Sequence, residues 1–387
     1  MDTSEDILKD VENFCVKLRP IADVCYLEHK FNDQIIPIAK KFDILGLPVP
    51  KEFGGREADI FTYIKSFERI GIEGTGISTV LSVHSSLVQK TLMKFGTDKQ
   101  KERYLEPSVK GDIIFAFGLT EPNAGSNPQE LQMNFKKEQN SYILNGTKYL
   151  ISNGTIADTI LVFAKSTIDD KTSAFMINTN QDGFEKEELA SKMGTPTTDT
   201  GMFELTDFKI STDNLVGEEG QGWQIAKHAL IEGRLGVAAG CVGSIKDCLI
   251  ESIEYSKERM QYGKAIAKHQ LIQEHIAGIE VHLSSAEAMV NRAVTIKDKL
   301  DKNPEDKELM KKADLAVAEA KLFSANAAFD AADKAVQIFG GRGWSFWYRP
   351  GRHLVDTRVC KIYEGTEEIL KLKIAAGVLG NQYQAYY

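Results

Sequence analysis

The chain has 387 residues, a formal net charge of -8, and a composition of 42% hydrophobic and 26% charged residues. This length exceeds one ordinary hydrophobic core, so we expect two or three structural units. The acidic balance argues against a nucleic-acid partner, which normally requires a basic face. No apolar run of about 18 residues occurs, so no transmembrane helix and no membrane association are predicted. The acidic, amphipathic start lacks the order of a signal peptide, which predicts a cytoplasmic protein.

Residues 1–117 are predicted to form an N-terminal α-helical domain. Apolar residues recur at three- and four-residue steps over 31–45, and a second helical pattern covers 78–95 and stops at Gly96. Between them, residues 47–55 form a loop that is rich in proline and glycine.

Residues 118–221 are predicted to form a middle β domain. Asn145 and Gly146 lie between two β-favouring runs in 141–154, SYILNGTKYLISNG, and this pattern predicts a hairpin. Three further β-favouring runs follow at short intervals: 159–166, 173–178 and 201–210.

Residues 222–387 are predicted to form a C-terminal four-helix bundle with alanine-rich seams. The helical patterns cover 223–257, 269–300, 304–339 and 366–380. The charged, proline-containing stretch 297–312 is interpreted as a solvated loop with its flanking helix ends.

The cysteines and histidines do not form a metal-binding pattern. The five cysteines are odd in number and include no C-x-x-C pair, so free buried thiols are predicted. His275 and His282 are seven residues apart, but no carboxylate or cysteine completes a ligand set, so no metal is predicted.

Four stretches could carry chemistry, although each also has an ordinary structural explanation. GLTEPNAGSN (118–127) offers hydroxyls and glycine-freed amides that suit a polar heterocycle or a phosphate, or it is a simple turn. YLISNG (149–154) ends the predicted hairpin. QIFGGRGW (337–344) allows a ligand close to the backbone, or it is a helix end. In KIYEGTEEI (361–369), the neighbours of Glu364 could raise the pKa of its carboxyl group, or Glu364 is an N-terminal helix charge.

Two common nucleotide-binding patterns are absent from the sequence. No G-x-G-x-x-G follows a predicted strand, and no Walker A pattern occurs. This lowers the weight of a nicotinamide enzyme of the usual kind and of a P-loop NTPase.

Taken in order, these stretches and others resemble the acyl-CoA dehydrogenase family over nearly the whole chain. The matching segments are VPKEFGG (49–55), HSSL (84–87), KFGTDKQKERYLEPSVKGD (94–112), LTEPNAGSN (119–127), ERMQYGKAI (258–266), HQLIQE (269–274), QIFGGRG (337–343) and IYEGTEEI (362–369). The resemblance implies an N-terminal helical domain, a middle β-barrel domain and a C-terminal four-helix bundle. It also implies FAD as the cofactor and an oligomer, usually a homotetramer.

The resemblance further implies the reaction and its base. Glu364 would remove the α-proton of an acyl-CoA thioester, a hydride would pass to flavin N5, and the product would be the trans-2-enoyl-CoA. Hydrogen bonds from the amide of the base and from a ribityl hydroxyl of FAD would stabilise the developing enolate. Electron-transfer flavoprotein is the implied electron acceptor.

The remaining site residues are likewise carried over from the family. The implied FAD contacts are Phe117, Thr120, Ser126, Leu150, Ser152, Arg259, Gln270, Gln337, Gly340, Gly341, Thr366 and Glu368. Among these, Arg259 and Gln270 would hold the pyrophosphate and adenosine region. Gln337, Gly340 and Gly341 would reach the FAD of a neighbouring subunit. The implied acyl-CoA contacts are Ser126, Arg234 and Gly365.

The sequence departs from the family pattern at several positions. Some relatives carry the base immediately before the arginine that matches Arg234, where this chain has Gly233; Glu232, one residue earlier, would point differently. Leu150 stands where an aromatic residue is common, which raises a question about how the flavin edge is shielded. Asn127 replaces a frequent aspartate and Val355 a frequent arginine.

Two alternatives stay open at this point. One is a related flavoenzyme that acts on a carrier-protein thioester or passes electrons to oxygen. The other is a non-catalytic, DNA-associated flavoprotein, against which the retention of Glu364 and the acidic balance both count.

Overall fold

The computed structural model describes residues 3–385, and its first third is helical. The helices are α1 (Ser4–Glu28), α2 (Ile35–Lys41), α3 (Ile60–Glu73), α4 (Thr75–Ser82), α5 (Lys90–Phe95) and α6 (Asp98–Val109). A Thr3–Asp6 capping box starts α1, and Asp59 caps α3. A π-helical segment, Val83–Gln89, joins α4 to α5, and the helix ends before Gly96, as predicted.

The middle third is one mixed sheet. Its strands are β1 (Phe115–Gly118), β2 (Asn134–Glu138), β3 (Ser141–Ser152), β4 (Thr159–Ser166), β5 (Thr172–Asn178), β6 (Phe184–Glu188), β7 (Thr200–Ser211) and β8 (Leu215–Val216). The order is β6-β7-β3-β2-β4-β5-β8, with β1 parallel to β4. The predicted closed barrel is therefore wrong. Within the described strands the end strands β6 and β8 do not pair, and β8 has only two residues.

The hairpin predicted at Asn145 and Gly146 is also wrong, because both residues lie inside the continuous strand β3. The register between β3 and β7 shifts between Leu144 and Gly146, so the pair forms a bulge instead of a turn. A Cβ on Gly146, whose φ is 137°, would lie 2.7 Å from the Cα of Met133. The glycine therefore permits a close approach of neighbouring backbone, a use of glycine that the turn rule does not distinguish.

The last third forms the helical bundle. Its helices are α7 (Gly222–Glu258), α8 (Gln270–Lys302), α9 (Lys307–Phe339), α10 (Arg349–Cys360) and α11 (Glu367–Leu379). A two-stranded ribbon, β9 (Met260–Gln261) with β10 (Lys264–Ala265), joins α7 to α8. α7, α8 and α9 pack on one another through buried alanines, and α10 and α11 pack on α9. The four predicted helical segments agree with α7, α8, α9 and α11, whereas α10 was not predicted.

Glycines on α7 bring the N-terminal helices against the bundle. A Cβ on Gly243 would lie 2.1 Å from the carbonyl oxygen of Glu68, and one on Gly240 would lie 2.5 Å from Ser78 Oγ. Side chains of this size would force α3 and α4 away from α7. The contact between α4 and α7 borders the candidate site described below.

A buried network joins the β unit to both helical parts. Asp356 on α10 accepts hydrogen bonds from the Tyr26 hydroxyl on α1 and, at 2.6 Å, from the backbone N–H of Thr195. All five cysteines are buried and unpaired, as predicted. Among residues 3–385, no helix is long and apolar enough to span a membrane, and no group of histidine, cysteine or carboxylate side chains is arranged for a metal ion.

Candidate active site

Glu364 lies in the short connection between α10 and α11, on a left-handed backbone with φ 55°. The end of α10 shapes this connection, because the N–H of Tyr363 donates to the carbonyl of Val359 at 3.1 Å. Thr366 then starts α11 by accepting from the N–H of Ile369. A left-handed glutamate is uncommon and costs about 1–2 kcal/mol, so surrounding contacts must hold it there.

The carboxyl group of Glu364 points at α7. A Cβ placed on Gly233 would lie 2.7 Å from Glu364 Oε1 and 2.7 Å from Leu87 Cδ2. The Glu364 carboxyl group therefore occupies the space into which a side chain at residue 233 of α7 would project. This explains structurally why a glycine occupies that position.

The carboxyl group has the environment of a general base. Although the residue as a whole is partly buried, Oε2 is shielded from solvent and has no hydrogen-bond partner within the described residues 3–385. Burial raises the pKa of Glu364 from 4.5 to about 7, and the charges of Arg234 and Lys321 oppose that rise. A base with a pKa near neutral pH is present in its unprotonated form at that pH and still has a high affinity for a proton.

Two cationic side chains hold the backbone at Glu364 and Gly365. Arg234 Nε donates to the carbonyl of Glu364 at 2.8 Å, and Lys321 Nζ donates to the carbonyl of Gly365 at 2.8 Å. The hydroxyl of Tyr363 lies 3.1 Å from Thr79 Oγ1, so α4 also supports the connection. The φ of Gly365 is 100°, and a Cβ placed on this residue would lie 3.6 Å from Arg234 Nη2.

Glu232, in contrast, is engaged in ion pairs that make it unsuited to act as a general base. Its carboxylate pairs with Lys297 Nζ at 2.5 Å and with Lys90 Nζ at 2.9 Å. These cations lower the pKa of Glu232 despite the opposing effect of burial. Glu232 is thus a buried, ion-paired carboxylate that is unsuited to accept a proton near pH 7.

The β unit supplies a second group of predicted residues, which lies close to β3. The N–H of Tyr149 donates to the carbonyl of Thr120 at 2.9 Å, so the predicted flavin loop is attached to the strand that carries Leu150 and Ser152. Leu150 is 56% exposed on a left-handed backbone with φ 58°. Ser126 is exposed, whereas Phe117 is buried against Phe163, with ring centroids 5.1 Å apart.

A buried ion pair fixes this loop. Lys148 Nζ lies 2.7 Å from Glu121 Oε1 and donates to the carbonyl of Leu119 at 3.1 Å. Glu121 also accepts from the N–H groups of Gln132 and Met133. Asn153 then joins β3 to α4, because its Nδ2 donates to the carbonyl of Val80 at 3.0 Å. The predicted flavin loop is therefore connected to the helix that supports Tyr363.

A third group lies at the far end of the bundle. α7 ends before Arg259, α8 begins at Gln270, and α9 ends just after Gln337, so the antiparallel order brings these residues to the same end. Gly340 and Gly341 follow directly, and Tyr255 stacks on Phe339 there, with centroids 4.1 Å apart. Arg259 is 26 positions along the helix path from Gly233, or about 39 Å. One chain therefore does not bring this group close to the base.

The residues present suit FAD. Thr120 and Ser152 carry hydroxyls on the predicted flavin loop and on β3, Thr366 carries one at the N-cap of α11, and Glu368 is exposed in the first turn of that helix. At the far end, a Cβ on Gly340 or Gly341 would meet no atom within 4 Å, so these glycines face open space that a ligand can fill. Arg259 and Gln270 are exposed there, with a charge and an amide that suit a pyrophosphate and an adenosine.

A chain with a helical, a β and a second helical part, which carries a shielded carboxyl group of raised pKa and a hydroxyl-bearing loop, has the features of a flavin-dependent dehydrogenase that begins with proton removal. Comparison with known proteins points to one family. The acyl-CoA dehydrogenase N-terminal, middle and C-terminal domain models match residues 1–112, 116–208 and 220–379. The chain belongs to the acyl-CoA dehydrogenase family: its cofactor is FAD, and its reaction is the dehydrogenation of an acyl-CoA thioester.

Individual relatives agree over the full length. The chain is 35% identical to a short-chain specific acyl-CoA dehydrogenase of Megasphaera elsdenii, covering 98% of both chains. The solved butyryl-CoA dehydrogenase of that organism has a TM-score of 0.91 at 32% identity, over 98% of this chain and 100% of the other. The prolyl acyl carrier protein oxidase AnaB has a TM-score of 0.87 at 30% identity, over 98% of this chain and 100% of the other.

Sequence reasoning missed three residues of this site: Lys148, Asn153 and Lys321. Each is buried and polar, and each holds backbone near a predicted site residue. The available signal was a lysine within an apolar pattern, as in AVAEAKLFSANAA around Lys321. A buried lysine requires a reason, but the sequence does not show its partner.

Proposed function

We propose that this enzyme dehydrogenates short acyl-CoA thioesters with Glu364 as the base that takes the α-proton. The observation that carries the proposal is the shielded Oε2 of Glu364, a buried carboxyl oxygen with no hydrogen-bond partner in the described chain. The raised pKa of Glu364, about 7, supports the same role. FAD, when bound, would accept the hydride from the β-carbon.

The chain's own residues would hold the thioester and exclude water. Gly233 leaves space for the carboxyl group against α7, where burial strengthens a proton acceptor by the lack of solvent. Gly365 carries no side chain beside Arg234, which favours close approach of the thioester to this backbone. Ser126, in the exposed loop, would contact the CoA part of the substrate.

The choice of a short acyl chain rests on contacts between α7 and α4. A Cβ on Gly236 would lie 2.7 Å from Ser82 Oγ, and one on Gly240 would lie 2.5 Å from Ser78 Oγ. The helices therefore already touch beyond Gly233, which leaves little depth for a long chain. The short-chain and butyryl-CoA enzymes named above support the same size class.

An oligomer is proposed from the separation of the two FAD-contact groups. Thr120, Leu150, Ser152, Thr366 and Glu368 would bind the cofactor near the base, whereas the far-end group would serve the cofactor of a neighbouring subunit. This arrangement requires at least two copies, and a homotetramer is the proposed state. Leu150, in place of an aromatic side chain, would leave the flavin edge more open.

The electron acceptor, the compartment and the domain division are also proposed. Electron-transfer flavoprotein is the proposed electron acceptor, and the cytoplasm is the proposed compartment. The proposed domain division is 1–117, 118–221 and 222–387.

The test is anaerobic titration of the FAD-loaded enzyme with acyl-CoAs of increasing length, followed by flavin absorbance. Bleaching by C4 to C6 substrates, with little from C12 to C16, is expected. Glu364→Gln is expected to keep FAD and lose bleaching. Near-normal bleaching in that variant would refute the assignment of the base.

The same preparation distinguishes the proposed dehydrogenase from a second candidate, an oxidase of carrier-protein thioesters. The likeness to AnaB favours that candidate. Rapid reoxidation by air, together with bleaching by an acylated carrier protein but by no acyl-CoA, would establish that candidate. Slow reoxidation after bleaching by acyl-CoA is the result expected here.

A further inference from the structure

Three lysines are nearly fully buried within residues 3–385, and their surroundings are not equivalent. Lys148 pairs with Glu121 at 2.7 Å, and Lys297 pairs with Glu232 at 2.5 Å. Lys321 is equally buried, at 1% exposure, yet within residues 3–385 no carboxylate lies near enough to form an ion pair with it. A buried ammonium group without a paired carboxylate is unfavourable, so another role must maintain it.

The hydrogen bond of Lys321 indicates that role. Its Nζ reaches from the middle of α9 to the carbonyl of Gly365, at 2.8 Å, immediately after the base. Glu364 and Gly365 both have positive φ, 55° and 100°. Two successive left-handed residues form a bend that the chain does not maintain without external contacts.

We propose that Lys321 is a positioning residue for the base: its ammonium group holds the carbonyl of Gly365, fixes the bend that carries Glu364, and directs a positive charge at the carboxylate. The inference rests on the proposed role of Glu364. Arg234 holds the other carbonyl of the bend, but it also approaches Asp314 at 3.6 Å and has a predicted substrate contact. Lys321 therefore allows the cleaner test.

The charged and titratable groups around Lys321 come from two packed elements and the bend. α7 contributes Arg234 and Cys241, α10 contributes Cys360, and the bend contributes Tyr363 and Glu364. Burial lowers the pKa of Lys321 to about 8, while the thiols and Glu364 oppose that shift. Glu364 in turn is acted on by Arg234 and Lys321. Removing the lysine charge removes one of the two cations that favour the carboxylate form.

The test compares Lys321→Met, Lys321→Gln and Lys321→Arg in the FAD-loaded enzyme. The measured quantity is the rate of anaerobic flavin reduction by a short acyl-CoA as a function of pH. Lys321→Met is expected to slow the plateau rate and to move the acid limb upward by about one pH unit or more, since a lost cation raises the pKa of Glu364. Lys321→Gln, which keeps a donor but no charge, should show the same move with a smaller loss of plateau rate. Lys321→Arg should keep the limb near its original position.

Lys192→Met is the matched control. Lys192 is a partly buried lysine that donates to the carbonyls of Thr195 and Thr198, and Glu364 is not among the charges that act on it. It should lose stability without moving the acid limb. If Lys321→Met does not fold, Lys321→Gln supplies the same comparison.

A second readout does not depend on turnover. The protonated carboxyl band of Glu364, identified by infrared difference against Glu364→Gln, should persist to higher pH in Lys321→Met and Lys321→Gln. An unmoved acid limb and an unmoved band in both neutral variants would overturn the inference. If Glu364→Gln itself reduced flavin normally, the proposed function would fail instead.

Discussion

Glu364→Gln is expected to make the folded protein more stable at alkaline pH while it removes the proposed base. The carboxyl group is buried, and its pKa is raised from the ordinary value of 4.5 to about 7, mainly by burial. Above pH 7 the folded chain must therefore keep a charge away from water that the unfolded chain can solvate. A glutamine of the same shape carries no such cost.

The sign and size follow from proton linkage. Between pH 4.5 and about 7 the folded state binds the proton and the unfolded state releases it, so stability is lost as the pH rises through this window. The loss is complete above about pH 7, and the change in pKa from 4.5 to about 7 corresponds to about 3 kcal/mol. At pH 5 most of this cost is absent, because folded Glu364 is protonated.

The assay is urea unfolding of the wild type and Glu364→Gln at pH 5 and pH 8.5, with protein and FAD concentrations held fixed. The variant should gain about 2–3 kcal/mol more at pH 8.5 than at pH 5. Glu185→Gln, at an exposed position on β6, is the matched control and should show no such pH-dependent gain. An equal effect of Glu364→Gln at both pH values would refute the claim that the charge is buried.

Three further predictions test the geometry. Gly233→Ala places a Cβ 2.7 Å from Glu364 Oε1 and should slow flavin reduction at least about tenfold with FAD content unchanged, as measured by stopped-flow absorbance. Lys148→Met leaves Glu121 as an unpaired buried charge and should cost about 3–5 kcal/mol in urea unfolding with loss of FAD, which Glu121→Gln in the same chain should partly restore. The rate of flavin reduction should fall about tenfold per pH unit below about pH 7, because the protonated base is inactive; a flat profile from pH 5 to 8 would contradict this.

The long helices of the bundle were predictable because each carries a repeating apolar pattern over many residues. The segments 223–257 and 304–339 agree closely with Gly222–Glu258 and Lys307–Phe339. α10 lacked such a signal, since its sequence RPGRHLVDTRVC is mostly polar and includes Gly351. Its buried polar residues, such as Asp356, are satisfied by partners from distant segments.

The β unit shows the limit of local rules. Asn145 and Gly146 satisfy the two-residue turn pattern, yet β3 continues through them, because β2 and β7 flank the strand and Gly146 permits the close approach of Met133. The closed barrel came from the family resemblance, and no local pattern specifies whether β6 meets β8. Strand closure depends on pairing between segments that are far apart in the chain.

The proposal of Glu364 as the base came only from the order of motifs, and its surroundings were not predictable at all. Locally, Glu364 has the sequence position of a helix-end charge, and α11 does begin three residues later. The environment of its carboxyl group depends on Gly233 from α7 and Lys321 from α9, which are 131 and 43 residues away along the chain. Contacts between residues so far apart along the chain leave no periodic pattern in the sequence.

The buried lysines suggest why the unpaired one lies at the chemical site. Lys148 and Lys297 are each paired with a buried carboxylate, so each pair is a fixed structural contact. A fixed partner for Lys321 would neutralise its field, whereas Glu364, in its proposed role, gains and loses a proton in each turnover. A backbone carbonyl holds the ammonium group in place without cancelling its charge. The unfavourable burial of Lys321 is therefore consistent with a residue retained for its effect on Glu364, since proteins accept such local costs where function requires them.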